Sequence, residues 1–244
     1  MIKEIFTAAV LTASLAQIQP LSAQAEKNMN SKARINVILV GDSTVANYKP
    51  ELTIRGWGQV IPRFFNDDVK IINQAISGRS TKTFIQQGDW DKTLKLVKPG
   101  DYVLIQFGHN DSHAKDKPEA TDAATSYTEF LKKYVDDVRA VKATPILVTP
   151  MHRGIFEKGK ISAELQPYVD AMKKVAGEKD IVCIDLYTSS GKLLQELGNE
   201  GIAPLFCSPK DRTHFSEQGA IAIAELIVKD LAASGTPLAG YLKK

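Results

Sequence analysis

From residue 35 onward, short apolar runs alternate with longer segments whose apolar positions recur every three or four residues. The first run, 35–40, is rich in β-branched residues and closes on Gly41. Four more follow at 70–75, 102–107, 145–149 and 181–184. They are apolar nearly throughout instead of alternating, the pattern of strands covered on both faces. In 126–142, Tyr127, Phe130, Leu131, Tyr134, Val135, Val138 and Val141 trace one helical face, and Ser126 with Glu129 three residues on reads as a capping box. Leu165, Val169, Met172 and Val175 trace a second helix that Gly177 is expected to stop. A last helix opens after Phe215-Ser216 and carries Ile221, Ile223, Leu226, Ile227 and Leu231. This β-α alternation predicts a three-layer α/β/α sandwich with a mainly parallel five-stranded sheet. In such sheets ligands sit beyond the carboxyl ends of the strands, so the loops there are the places to seek chemistry.

The first 25 residues do not share the pattern. Lys3 is followed by an apolar stretch over 5–16, a break at Pro20 and the small-residue sequence Ala23-Gln24-Ala25. A secretory signal is built this way, and the stretch is far short of the roughly 20 residues that span a bilayer. The expectation is cleavage after Ala25, a single mature domain over 26–244, no membrane span after cleavage, and a secreted or periplasmic setting. Removing that segment takes Lys3 and Glu4, so the formal net charge of +3 is unchanged. So mild a charge, without a Lys/Arg run, argues against a nucleic-acid partner. Export permits a disulfide between Cys183 and Cys207, but a buried free thiol at Cys183, in an apolar strand, is the favoured reading.

Four fragments stand at the expected strand ends and before the last helix: Gly41-Asp42-Ser43-Thr44, Ser77-Gly78-Arg79-Ser80, Gly108-His109-Asn110-Asp111 and Asp211-x-x-His214. A serine hydroxyl becomes a nucleophile only when a base removes its proton. His214 is the candidate base for Ser43, and Asp211 is placed to hold its tautomer. The backbone N–H groups of Ser43 and Gly78 and the side-chain amide of Asn110 are candidate donors to an oxyanion. Each fragment alone has a plainer reading: a helix cap, a turn glycine, a local hydrogen bond, a surface pair. Their chain order and their places at strand ends favour the catalytic one.

These blocks resemble those of the SGNH (GDSL) hydrolases. Gly41-Asp42-Ser43-Thr44-Val45, Gly56-Trp57-Gly58, the run from Asn73 to Phe84, Gly88-Asp89-Trp90, Gly108-His109-Asn110-Asp111 and Thr149-Pro150 with Arg153 are similar to the rhamnogalacturonan acetylesterase branch. The resemblance covers residues 35–232. It implies the flavodoxin-like SGNH fold, with Ser43 as nucleophile, Gly78 and Asn110 in the oxyanion hole, and His214 with Asp211 completing a triad. It implies a secreted carbohydrate esterase that removes O-acetyl groups from pectic polysaccharide and needs no cofactor. A lipid esterase, lysophospholipase or thioesterase on the same scaffold is the alternative, followed by a non-catalytic polysaccharide-binding protein. His152 beside Arg153 departs from the branch pattern.

Trp57, Arg79, His152 and Arg153 are candidate contacts to the acetylated polysaccharide or oligosaccharide substrate. Trp57 and Trp90 have a second reading as core residues. Arg55, Lys82, Lys158 and Arg212 add positive charge to the same expected edge and favour a polar, anionic substrate over an acyl chain. His109, Asp111 and His113 with His152 could be read as metal ligands, but His152 is the sole outside recruit, so no metal site is expected. No Gly-x-Ser-x-Gly elbow, phosphate loop or dinucleotide loop occurs in the chain.

Overall fold

The computed structural model describes residues 35–243. The signal-like segment 1–25 lies outside them. Five strands form one sheet: β1 (Ile35–Gly41), β2 (Val69–Asn73), β3 (Tyr102–Gln106), β4 (Thr144–Val148) and β7 (Cys183–Ile184), in the order β2-β1-β3-β4-β7. Every pairing in it is parallel. The register sets Leu39 of β1 beside Asn73 of β2, and Gly41 of β1 beside Gln106 of β3. A separate antiparallel hairpin is made by β5 (Phe156–Glu157) and β6 (Lys160–Ile161).

Seven helices connect the strands among the described residues: α1 (Trp57–Val60), α2 (Thr81–Gln86), α3 (Asp89–Leu94), α4 (Ser126–Ala140), α5 (Gln166–Lys179), α6 (Leu186–Gly201) and α7 (Glu217–Ala233). None is long and apolar enough to cross a membrane. The alternation of side chains along β1 divides the core. Val37 and Leu39 face a layer containing Trp57 of α1, Leu186 and Leu194 of α6, and Ile223, Ile227 and Leu231 of α7. Ile38 and Val40 face Phe84 of α2, Trp90 of α3, Tyr134 and Val138 of α4, and Met172 of α5. A strand buried on both faces has no polar side to show, and 37–40 is accordingly Val-Ile-Leu-Val with all four side chains fully buried.

Two helix ends differ from the sequence reading. Ser126 is the first residue of α4 and forms no capping box. Its hydroxyl accepts from the Asp122 amide at 2.9 Å, while Asp122 Oδ1 gathers the Ala124 and Thr125 amides and the Thr125 hydroxyl. The carboxylate of Asp122 is the stronger acceptor and organises the turn before the helix. Gly177 does not stop α5, which runs to Lys179 and is capped by Asp180 in the left-handed region at φ 49°. Aspartate is among the few residues that tolerate that region. Both cysteines are free. Burial pushes the Cys183 thiol up to about 12, so it stays protonated.

Candidate active site

Strand β1 ends at the carboxyl edge of the sheet in a tight turn. A Cβ on Gly41 would come within 2.6 Å of Val45 Cγ2 and 2.7 Å of the Gln106 carbonyl oxygen, so only glycine fits. The Asp42 carbonyl accepts from the Val45 and Ala46 amides, each at 3.1 Å. Asp42 Oδ1 accepts from the Thr44 amide at 2.9 Å and the Thr44 hydroxyl at 2.7 Å. The turn projects Ser43, which is 6% exposed.

The partner loop is fixed just as firmly. Phe215 is buried and bridges both Arg55 and Phe206, and the Cys207 amide donates to the His214 carbonyl at 2.9 Å. Ser216 then caps α7, accepting from the Gly219 amide. His214 is thus held between a bridged segment and a capped helix. Its Nε2 lies 2.9 Å from Ser43 Oγ, and its Nδ1 lies 2.8 Å from Asp211 Oδ2. Asp211 Oδ1 accepts from the Thr213 and His214 amides, both at 2.8 Å. Burial raises the Asp211 carboxyl, but those two amides and the imidazole outweigh it and hold it below the ordinary value. It is therefore ionised at neutral pH. The carboxylate requires the imidazole proton on Nδ1, which leaves Nε2 free to accept from the serine hydroxyl.

Gly78 sits in the loop after β2 at φ 78° and is exposed, with nothing within 4 Å of the position a Cβ would take. Its conformation, not crowding, selects glycine. Asn110 Nδ2 donates to the Arg79 carbonyl at 2.8 Å, which ties the loop after β3 to the loop after β2. The Ile76 amide donates to the Gly41 carbonyl at 3.0 Å and ties the loop after β2 to β1. Tyr48, which the sequence reading passed over, joins the same elements. Its hydroxyl donates to the Ser43 carbonyl at 2.8 Å and lies 3.5 Å from Ser77 Oγ. A lone tyrosine in a loop carries no sequence signal for that role.

Below the surface lies a second polar layer. His109 Nε2 faces the Met151 carbonyl at 3.1 Å, and its Nδ1 lies 3.4 Å from Asp42 Oδ2. Both side chains are buried, and neither of those facing atoms has a well-aligned hydrogen bond. Burial raises the Asp42 carboxyl, yet the imidazole and the Thr44 donors together lower it below the usual range. Asp111 is buried as well, under α2, and its carboxyl takes the Thr81 amide and the hydroxyls of Thr81 and Thr121. Burial, with the Asp42 carboxylate adding to it, outweighs those donors and pushes it up to about 7.

The candidate substrate contacts fare differently. Trp57 is 1% exposed, and its Nε1 donates to Gln106 Oε1 at 2.7 Å. It is a core residue and cannot stack on a sugar. Trp90 is equally buried and donates to Asp137 at 2.7 Å. His152 is 7% exposed, stacked on Tyr187 at 3.6 Å between ring centroids, with Nδ1 2.8 Å from the Ser162 carbonyl. Burial lowers its pKa, so it is a neutral packing group and not a surface contact. Arg79 pairs with Asp89 at 2.9 Å. Arg153 lies 3.3 Å from Glu164 and donates to the His109 carbonyl at 2.9 Å. Both arginines brace loops. His113 pairs with Glu119 at 2.6 Å. The imidazoles of the metal reading thus point to three different partners, and none converges with another.

A serine, an imidazole and a carboxylate in relay beside an exposed glycine loop at Gly78 are the equipment of an acyl hydrolase. A family model described as GDSL-like lipase/acylhydrolase matches residues 37–227, and the chain belongs to that family. RhgT, a rhamnogalacturonan acetylesterase of Bacillus subtilis (strain 168), is 37% identical over 225 residues, covering 86% of this chain and 95% of that protein. YesY of the same organism, described as a probable rhamnogalacturonan acetylesterase, is 36% identical over 207 residues, covering 83% of this chain and 95% of its own. Among solved structures, protein YxiM of Bacillus subtilis aligns with a TM-score of 0.76 at 30% identity, over 84% of this chain and 58% of that one.

Proposed function

We propose that this protein is an exported carbohydrate O-acetylesterase that deacetylates pectic polysaccharide of the rhamnogalacturonan type. The observation that carries the chemistry is the relay from Asp211 through His214 to Ser43, with contacts of 2.8 and 2.9 Å. The substrate class is supported by the two relatives named for rhamnogalacturonan, each matched over 95% of its length. Export rests on the signal-like segment 1–25, with residues 26–244 as the mature domain.

His214 Nε2 takes the Ser43 proton as Oγ attacks the acetyl carbonyl. The Asp211 carboxylate stabilises the imidazolium that results. The oxyanion is received by the Ser43 and Gly78 amides and by Asn110 Nδ2. One Asn110 N–H is already bonded to the Arg79 carbonyl, which aims the amide and leaves its other N–H for substrate. His214 then protonates the departing sugar oxygen, which leaves as a hydroxyl. Water, deprotonated by the same imidazole, cleaves the acetyl-enzyme and restores Ser43.

The lipid-esterase reading is not favoured by the groove beside the triad, whose lining carries the charged side chains of Lys210, Asp211 and Arg212.

The deciding experiment compares acetate release from acetylated rhamnogalacturonan, acetylated xylan and a long-chain acyl ester. Rhamnogalacturonan is expected to be the best substrate, and a preference for the long-chain ester would reverse the assignment. A serine-reactive organophosphate should label Ser43. Labelling elsewhere, or full activity in Ser43→Ala, would refute the mechanism.

A further inference from the structure

The cations on the active edge fall into two groups. Most are already engaged. Arg79 is held by Asp89, Arg153 by Glu164 and the His109 carbonyl, and Lys82 by the Ala120 carbonyl at 2.8 Å. Arg55 is wrapped by the carbonyls of Leu52, Ile54 and Pro50. Lys158, in the β5–β6 turn, is exposed and unpaired among the described residues but does not line the groove beside His214, whereas Lys210 and Arg212 do. Lys210 is exposed and Arg212 half-buried, and among the described residues neither side chain has an ion pair or a hydrogen bond.

These two residues flank Asp211 in the chain, and both line the open groove of about 560 Å³ that also includes His214. Their backbone is held in place. The Arg212 carbonyl accepts from the Gly154 amide at 2.7 Å, and the Asp211 amide donates to Ser208 at 3.2 Å. Asp211 lies between them, but its Oδ1 is spent on two amides and its Oδ2 on His214. The groove therefore presents two uncommitted cations next to the catalytic base, on a backbone that the triad itself requires to be rigid.

We propose that Lys210 and Arg212 form a carboxylate-recognising subsite that binds an acidic sugar neighbouring the acetylated one. The proposal rests on the carbohydrate reading above. A guanidinium offers a planar fork that matches a carboxylate with two parallel hydrogen bonds, and an ammonium adds a point charge. Both groups start without protein partners, so binding a carboxylate breaks no protein ion pair. Partial exposure of the groove makes the contribution sensitive to salt. Binding there sets the register of the polymer and brings one particular acetyl group to Ser43.

The test uses one acetylated, galacturonate-containing oligosaccharide in two forms, with its carboxyls free or methyl-esterified. The methyl ester keeps the shape and removes the charge. For the wild-type protein, KM is expected to be lower for the free-acid form, and the difference should shrink as salt is raised. In Arg212→Gln the preference for the free acid should fall about tenfold, through KM and not kcat, the scale of losing one charge-assisted pair. In Lys210→Gln it should fall about threefold, as expected of a more exposed charge. Arg212→Lys should restore part of the preference. Thermal melts of the variants should match the wild type, since neither side chain has a partner to lose. Equal KM for the two forms in the wild type, or an unchanged preference in the double variant Lys210→Gln/Arg212→Gln, would overturn the subsite alone. No acetate release from either form, with a simple chromogenic acetate still cleaved, would overturn the carbohydrate reading and the subsite with it.

Discussion

Replacing Asp211 by asparagine tests the triad through the position of a single proton. Asp211 Oδ1 accepts two backbone amides at 2.8 Å, from Thr213 and His214. In Asp211→Asn the amide oxygen must stay there, because an NH2 group would meet two donors head-on. The NH2 group is then forced toward His214 Nδ1, where the carboxylate stood at 2.8 Å. Nδ1 must become an acceptor, so the neutral ring carries its proton on Nε2, which faces Ser43 Oγ at 2.9 Å. The geometry survives and the base is lost. A reversed tautomer of this kind costs about 10⁴ in kcat, or about 5 kcal/mol of transition-state stabilisation. Folding should change by about 1 kcal/mol or less, since both backbone bonds are retained and the pair is partly exposed. The assay is kcat on a chromogenic acetate ester, with a thermal melt and the imidazole ¹⁵N shifts of His214 alongside. A variant that keeps more than about a tenth of wild-type kcat, or shows the proton still on Nδ1, refutes the reasoning.

Four further outcomes are expected. Trp57→Phe should destabilise by about 1–2 kcal/mol in a denaturant titration, because Gln106 loses its buried donor, while KM stays unchanged; a large KM effect would restore the sugar-stacking role. His109→Leu should cost about 3 kcal/mol or more, since it strands the buried Asp42 carboxylate, and kcat should fall with it; a silent variant would show that the pair supports nothing. Asp111 is raised in the folded protein, so its proton is held more tightly there than in the unfolded chain. Its contribution is fully present below the unfolded value of 3.8 and is lost as pH rises toward about 7, on the order of 4 kcal/mol in all, and Asp111→Asn should remove that slope from the stability–pH curve. Treatment with a chelator should leave esterase activity intact, because His109, His113 and His152 are each committed to separate partners; loss restored by zinc would revive a metal role.

Local pattern and tertiary structure divided the description of this protein in a physically intelligible way. Most runs long enough to show periodicity were legible: the five sheet strands, α4, α5 and α7 lie where the apolar spacing places them, within a residue or two at most ends, but the 16-residue α6 was not read from its spacing. Short elements were not. The helices α1, α2 and α3 and the β5–β6 hairpin have between two and six residues, too few for a period to emerge. The four chemical blocks were legible because each is a compact run of unusual residues at a strand end. Their neighbours were not. Whether Arg79 or Arg153 is free depends on Asp89 at the start of α3 and on Glu164 before α5, and whether His152 is exposed depends on Tyr187 in α6.

The sequence by itself therefore determined the five sheet strands and the helices α4, α5 and α7, because helix and strand preferences and their apolar periods act over a few residues. It also determined which residue types stand at the carboxyl edge of the sheet, since a parallel sheet puts every following loop there. Tertiary structure alone decided which of those side chains are committed and which remain available. Hydrogen bonds and ion pairs are satisfied across the fold, between residues brought close only by packing. By that process Trp57 and His152 were drawn inward, Arg79 and Arg153 were spent on carboxylates, and Lys210 and Arg212 were left uncommitted beside His214.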